Sequence, residues 1–255
     1  MSSSSSTISA RDRLGNFELA QSEVRRLDHR GVTSGDVAMY EQYQRRNSFG
    51  LDPTMKIYRI FQERHYQDDL MNACLTMPRA DANVWSSPLE NPLSLVKKKD
   101  PVTGQFVHLG SVVQEFFALC WTSREYPTQD DWAAFSHGKA AVRVETTIGK
   151  LLDRVMLLTD SNYMHRAWVI DADYQPGGTI RAMQKPEEVE RRMESSGALL
   201  ALSAATIQTS YNDENEVRLL FDNGILPQVS TKIGRDLIRL PFDWNGFATN
   251  VIHRP

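Results

Sequence analysis

Two carboxylates, Glu214 and Glu216, stand two positions apart in Tyr211-Asn-Asp-Glu-Asn-Glu-Val-Arg-Leu-Leu-Phe221. The front half of that stretch is polar and turn-rich. The back half, Val217 to Phe221, is an apolar, β-prone run with Arg218 embedded in it. The acids therefore mark the place where a loop enters a strand, and a period of two projects both from one face. Two like charges held close push one pKa upward, which suits acid–base work or hydrogen bonding to a substrate hydroxyl. The same spacing also fits a solvated acidic turn in which Glu216 pairs with a nearby arginine.

Three further stretches carry chemistry-bearing side chains. Lys56-Ile-Tyr-Arg-Ile-Phe61 puts Tyr58 and Arg59 on a strand. A guanidinium there is either a fixed fork for an anion or an ordinary strand-face ion-pair partner. Glu115-Phe-Phe-Ala-Leu-Cys-Trp-Thr-Ser123 is a nearly continuous apolar run that ends in two hydroxyls. That pattern predicts a buried central strand surfacing at its C-terminal end. Thr122 and Ser123 then either orient a ligand or close the strand through local backbone hydrogen bonds. Trp85-Ser-Ser-Pro-Leu-Glu-Asn-Pro92 joins a tryptophan and Glu90 to two prolines, a loop too specific for a mere linker. Its plainer use is a proline-fixed loop plugged by Trp85.

The whole chain bounds what these residues serve. It has 255 residues, with 41% hydrophobic and 24% charged side chains and a mean hydropathy of -0.43, the composition of a soluble globular protein. A net charge of -3 implies no bulk attraction to nucleic acid or to anionic lipid. Cys74 and Cys120 are the only cysteines, each in apolar context, which suggests reduced thiols and a cytoplasmic setting. No Cys/His cluster has metal-ligand spacing. No apolar run is long enough to span a membrane, and no apolar core of a secretory signal opens the chain.

The elements that must position the site follow in order. Residues 1–8 are a serine tract, expected to be disordered. Residues 9–47 read as a helical arm, with a break at Gly31 to Gly35 and Asp36 as the N-cap of its second helix. Ser48 to Thr54 reads as a linker, and residues 54–255 as a single α+β domain. Within it, strands are expected at Met55–Phe61, Glu115–Ser123, Lys139–Glu145, Ala167–Tyr174 and Asp236–Pro241. Helices are expected at Gln62–Met77, Thr128–His137, Thr146–Leu158 and Pro186–Ala205, with a basic hairpin or exposed loop at Lys97–Gly104. Trp132 and Phe135, three apart on a helix, read as core, and His137 and His165 as structural or exposed. Strands interspersed with helices, without strict alternation, indicate an α+β fold on a mixed β-sheet.

Together these stretches resemble a large, uncharacterised bacterial family of domain-of-unknown-function proteins, some associated with phage defence. The shared pattern appears as Tyr58-Arg59, Trp85 to Asn91, Cys120-Trp-Thr-Ser123, Trp132 to Gly138 and Tyr211 to Arg218. It covers about Lys56 to Pro255, and Ser87 stands where that family more often carries Asp. The order of arginine strand, hydroxyl-ended strand and Glu-x-Glu is also similar to the ADP-ribosyltransferase superfamily. That resemblance implies a transferase-like core with peripheral helices and NAD as the cofactor consumed. It implies that Arg59 holds the NAD phosphate or ribose and that Thr122 and Ser123 orient the nicotinamide ribose, with Tyr58 and Trp121 completing the cofactor-binding set. It implies catalytic roles for Glu216, on the oxocarbenium-like state, and for Glu214, on the acceptor.

The expectation is thus an NAD-consuming ADP-ribosyltransferase-like enzyme, a toxin or phage-defence effector modifying a macromolecular acceptor, nucleic acid or protein. Two other readings stay open. One is a catalytically silent sensor or binding module whose N-terminal helices engage a partner protein. The other is a metal-dependent nuclease using Glu90, Glu214 and Glu216.

Overall fold

The computed structural model describes residues 9–33, 35–85, 87, 89–108, 113, 115–156, 166–194, 196–224 and 230–254. The serine tract at 1–8 and His165 lie outside them. Two helices come first, α1 (Ala10–Asp28) and α2 (Val37–Asn47), then β1 (Lys56–Gln62), α3 (Glu63–Met71), β2 (Cys74–Pro78) and a short α4 (Ala82–Trp85). A hairpin of β3 (Lys97–Lys99) and β4 (Phe106–His108) leads to β5 (Phe116–Thr122), α5 (Gln129–Ser136), β6 (Ala141–Thr147) and α6 (Ile148–Val155). Next are β7 (Ala167–Asp171), β8 (Asp173–Gln175), α7 (Gly177–Ala182), α8 (Pro186–Arg192) and α9 (Ala198–Ala204). Then β9 (Thr206–Gln208) and a 3-10 turn at Thr209–Glu214 precede β10 (Glu216–Asp222), β11 (Thr231–Ile233), β12 (Leu237–Pro241) and β13 (Asn250–Arg254).

The fold is α+β. Its main sheet has six strands in the order β13-β6-β1-β5-β10-β7, and every pairing is antiparallel. This corrects the expected mixed sheet: β8 and β9, which do run parallel, form a small sheet of their own. Each link in the main sheet delivers its neighbour in the opposite direction, so the crossover a parallel pair requires is never made. A second antiparallel sheet, β11-β12-β2, lies beside it.

Strand alternation divides the interior in two. Phe117, Leu119 and Trp121 of β5, with Val217, Leu219 and Phe221 of β10, enter one core with Ile57, Phe61, Val142, Val144 and Leu151. The intervening Phe116, Ala118 and Leu220 enter a second core with Trp168, Ile170 and helix α9. On that second face the positions nearer the N-terminus of β10 are Glu216 and Arg218, and those nearer the C-terminus of β5 are Cys120 and Thr122. Where the apolar pattern stops, the site begins.

Several expected elements are corrected by tertiary context. The 9–47 helices form a hairpin packed on the main domain. Arg13 of α1 is fully buried and its Nη2 donates to Asp171 Oδ2 at 2.7 Å, while Phe17 stacks on Phe49 with centroids 5.3 Å apart. Tyr40 of α2 donates to Asp153 Oδ1 at 2.5 Å. The supposed linker carries the buried Ser48, Phe49 and Leu51, so these helices share both cores with residues 54–255. Asp36 does precede α2, but its carboxylate accepts from Thr33 N–H at 2.7 Å and not from the helix. The helix expected over Gln62–Met77 ends at Met71, which is exposed; Ala73 turns the chain at φ 46° and Cys74–Pro78 pairs with β12. The one expected over Pro186–Ala205 breaks into α8 and α9 at Gly197, whose φ of 72° suits glycine. Among the described residues no helix is long and apolar enough to cross a membrane.

Candidate functional site

β5 is joined to β10 through seven register pairs, from Thr122↔Glu216 to Phe116↔Asp222. Toward β1 it has one pair, Tyr58↔Thr122. At its other end β5 is met by the chain leaving β2, where Ala80 N–H donates to the Phe116 carbonyl at 2.8 Å. Between those two attachments β1 and β5 part. The opening is a cleft of about 810 Å³ walled by Arg59–Gln62, Leu119, Cys120, Glu90, Glu214, Glu216 and Arg218. A smaller cavity of about 40 Å³ shares Arg59, Cys120, Glu214 and Glu216 and adds Tyr58, Trp121 and Thr122.

On the closed side sits a buried ionic network. Arg218 Nε donates to Glu216 Oε1 at 2.5 Å, its two terminal nitrogens grip both oxygens of Glu90, and Nη1 also donates to the Ala204 carbonyl at 2.7 Å. All three side chains are at most 5% exposed. Burial opposes the Arg218 charge, but Glu216 and Glu90 outweigh it and hold the guanidinium more firmly protonated than usual. The ring of Trp85 covers the guanidinium at 5.3 Å. Glu216 is tied at its backbone too, its N–H donating to the Tyr174 hydroxyl at 2.7 Å.

On the open side a second guanidinium, half-buried, is differently placed. Arg59 lies against the Phe61 ring at 4.9 Å and donates through Nη1 to the Cys120 carbonyl, while its buried Nε has no partner. Among the described residues no carboxylate lies within ion-pair distance of it, and burial lowers its pKa. A guanidinium with an unused donor facing a cleft has the chemistry to take an anion. Glu214 ends the 3-10 turn one residue before the strand, with Asn215 between at φ 46°. The Thr122 hydroxyl donates to the Glu214 backbone carbonyl at 2.6 Å. Burial, reinforced by the charge of Glu216, pushes the Glu214 carboxyl up to about 7.

Comparison of the chain with family models, curated proteins and solved structures finds no match. The geometry carries the reading alone.

Of the residues expected to share a site, Arg59, Thr122, Glu214 and Glu216 come together, and Glu90 joins them through Arg218. The two acids do line one cleft, although not by strand alternation, since Glu214 precedes β10. The others are placed differently. Tyr58 is 2% exposed and its ring is already covered by the Arg143 guanidinium at 4.0 Å, so it offers no free stacking face. Trp121 is 2% exposed and packs edge-on against Phe61 and Phe247, which makes it a wall of the core. Ser123 does not line the cavities: its N–H donates to the Asn215 carbonyl at 3.0 Å and closes the strand end. Phe135, expected in the core, is 41% exposed and lines the cleft. Its partner Trp132 is half-buried beneath the Arg254 guanidinium at 5.3 Å.

Sequence reasoning foresaw Glu216 pairing with an arginine, which proves to be Arg218, and passed over Tyr174. Arg218 was visible in the Glu-x-Glu-x-Arg spacing, whereas Tyr174 lies 42 residues from Glu216 and left no signal. For the metal-dependent reading, Glu90 and Glu216 are both engaged by Arg218. Among the described residues no group of three or more His, Cys, Asp or Glu side chains is arranged to hold an ion.

Proposed function

We propose that the cleft binds NAD and transfers its ADP-ribosyl group to a macromolecular acceptor, nucleic acid or protein. The observation that carries this reading is Arg59, a half-buried guanidinium with no carboxylate within ion-pair distance among the described residues, opening onto the same 810 Å³ cleft as Glu214 and Glu216. That volume is within the range of small-molecule sites. In the proposed reaction the bond between the ribosyl carbon and nicotinamide breaks, and nicotinamide leaves with the electron pair. Positive charge develops on the ribosyl carbon, and the Glu216 carboxylate, held by Arg218 and Tyr174, stabilises it. The acceptor nucleophile forms the new bond and gives its proton to Glu214, whose pKa of about 7 suits a base at neutral pH. Arg59 holds the phosphates.

Glu216→Gln tests the reading. Nicotinamide release from NAD, normalised to folded protein, should fall at least about a hundredfold, the order seen on removing one preorganised electrostatic group. Because Glu216 is buried on Arg218, stability should fall as well, contrary to the expectation of a partly solvated carboxylate. A wild-type protein that releases no nicotinamide with cell lysate as acceptor source would overturn it. One observation favours a second reading, a silent binding module: Glu216 is occupied by Arg218. NAD that binds without turnover, and is lost in Arg59→Met, would select that reading.

A further inference from the structure

The loop that supplies Glu90, between α4 and β3, is pinned at several points. Asn91 adopts φ 43°, and its side-chain amide donates to the Ala80 carbonyl at 2.9 Å and to the Val113 carbonyl at 3.0 Å. Leu89 and Leu93 are buried on either side, and the Glu90 N–H donates to the Ser87 carbonyl at 3.1 Å. The result is one carboxylate delivered from a pinned loop to the far edge of the Arg218 guanidinium. Trp85, from the same segment, covers the face of that guanidinium and is itself fixed by Nε1 donating to the Arg79 carbonyl at 2.6 Å.

A guanidinium is planar and its donors point in fixed directions. With both Glu90 oxygens on its terminal nitrogens and the Ala204 carbonyl on Nη1, the plane of Arg218 cannot turn without breaking several bonds. Nε is then aimed at one spot, and Glu216 Oε1 occupies it. Besides Arg218, the Glu216 carboxylate meets the Cys120 thiol, a weak donor, while the Tyr174 contact holds its backbone.

We propose that Glu90 is the positioning residue of the cleft: gripping Arg218 from behind, it fixes the direction in which Glu216 presents its carboxylate. Glu90 does not touch the reacting atoms; it acts through Arg218. The assignment deepens the NAD-cleaving reading, on which only its kinetic arm rests.

The experiment has two arms on Glu90→Gln, a change that keeps size but replaces one accepting oxygen by a donor facing the donors of Arg218. In the first, crystal structures of wild type and variant are compared at the Arg218 and Glu216 side chains. The expected result is a rotated guanidinium and a displaced Glu216 carboxylate; unchanged positions for both overturn the proposal. In the second, nicotinamide release is followed against NAD concentration and normalised to folded protein. The expected result is a kcat lower by on the order of a hundredfold, the effect of a roughly ångström-scale misplacement, with KM for NAD unchanged. A lowered melting temperature with kcat per folded molecule intact would make Glu90 merely structural and overturn the proposal. Should Glu90→Gln fail to fold, Arg218→Lys keeps the charge without the fork and is expected to displace Glu216 and lower kcat in the same way. A wild type that releases no nicotinamide defeats the functional reading, while the structural arm still decides the role of Glu90.

Discussion

The two flanks of β5 differ in how they treat backbone and charge. Toward β10 the strand is zipped through seven residue pairs, and the arginine there, Arg218, is saturated by two carboxylates and a carbonyl. Toward β1 it is attached at one pair, and the arginine in the opening, Arg59, donates to a carbonyl and has no carboxylate within ion-pair distance among the described residues. The same side-chain type is therefore fully paired on one flank and left with an unused donor on the other. Arg218 is fully buried and Arg59 half-buried, and their partners differ as well. A buried cation with its counter-charges in place is stabilised within the fold, and one lacking them carries a desolvation cost that an incoming counter-charge would offset.

The largest test of that contrast is Arg218→Met. It leaves Glu90 and Glu216 buried without a cation, and removing one member of a buried ion pair costs about 3–5 kcal/mol. Urea denaturation should show that loss, and a change below about 1 kcal/mol would place Arg218 with the surface pairs. Arg59→Met should cost far less. The Cys120 carbonyl loses its donor, worth about 1 kcal/mol, and the relief of an unpaired buried cation offsets this. The same variant should weaken NAD binding by about tenfold or more, the worth of a charge-assisted hydrogen bond. Calorimetric titration beside the denaturation curve reads both; a stability loss matching that of Arg218→Met would erase the contrast.

The smallest expected effect is a pH slope at Glu214. Its pKa is raised from 4.5 to about 7, so between those values the folded protein keeps a proton that the unfolded chain releases. Stability from this group is therefore highest below the unfolded value and declines as pH rises through the folded one. Glu214→Gln removes the decline, by an amount damped because the side chain is partly exposed. Melting temperatures from about pH 4 to about pH 8 should diverge in favour of the variant at the alkaline end. Parallel curves would mean that Glu214 is not desolvated in solution.

Much of the strand framework was legible because its signals are local. The run from Phe116 to Thr122 is apolar on both faces, and it forms a strand paired on one flank and walled by two cores. Thr128 with Asp131 makes a capping box, and α5 begins there. What was misread involved residues with two locally acceptable fates. Cys74–Pro78 continues a plausible helix, and only pairing with β12 makes it a strand. α1 has a thin apolar stripe, and the sequence cannot reveal that Arg13 reaches Asp171, 158 residues away. Phe135 and Trp121 are both aromatic with apolar neighbours, yet one faces the cleft and the other the core.

For the site the division is similar. Residue type and spacing alone identified Glu214, Glu216, Arg59 and Thr122 as groups able to do chemistry, because charge and hydroxyl are properties of the side chain itself. Strand period put Glu214 and Glu216 on one face, whereas Glu214 precedes β10 and it is Arg218 that shares the strand face with Glu216. Which carboxylates are neutralised and which guanidinium is left waiting was decided by tertiary structure. It depends on Glu90 arriving from a loop 128 residues before Arg218, and on β1 parting from β5 beyond Tyr58. Both are long-range geometric facts. An ion pair requires atoms a few ångströms apart, and local periodicity says nothing about distance between segments that meet only on folding.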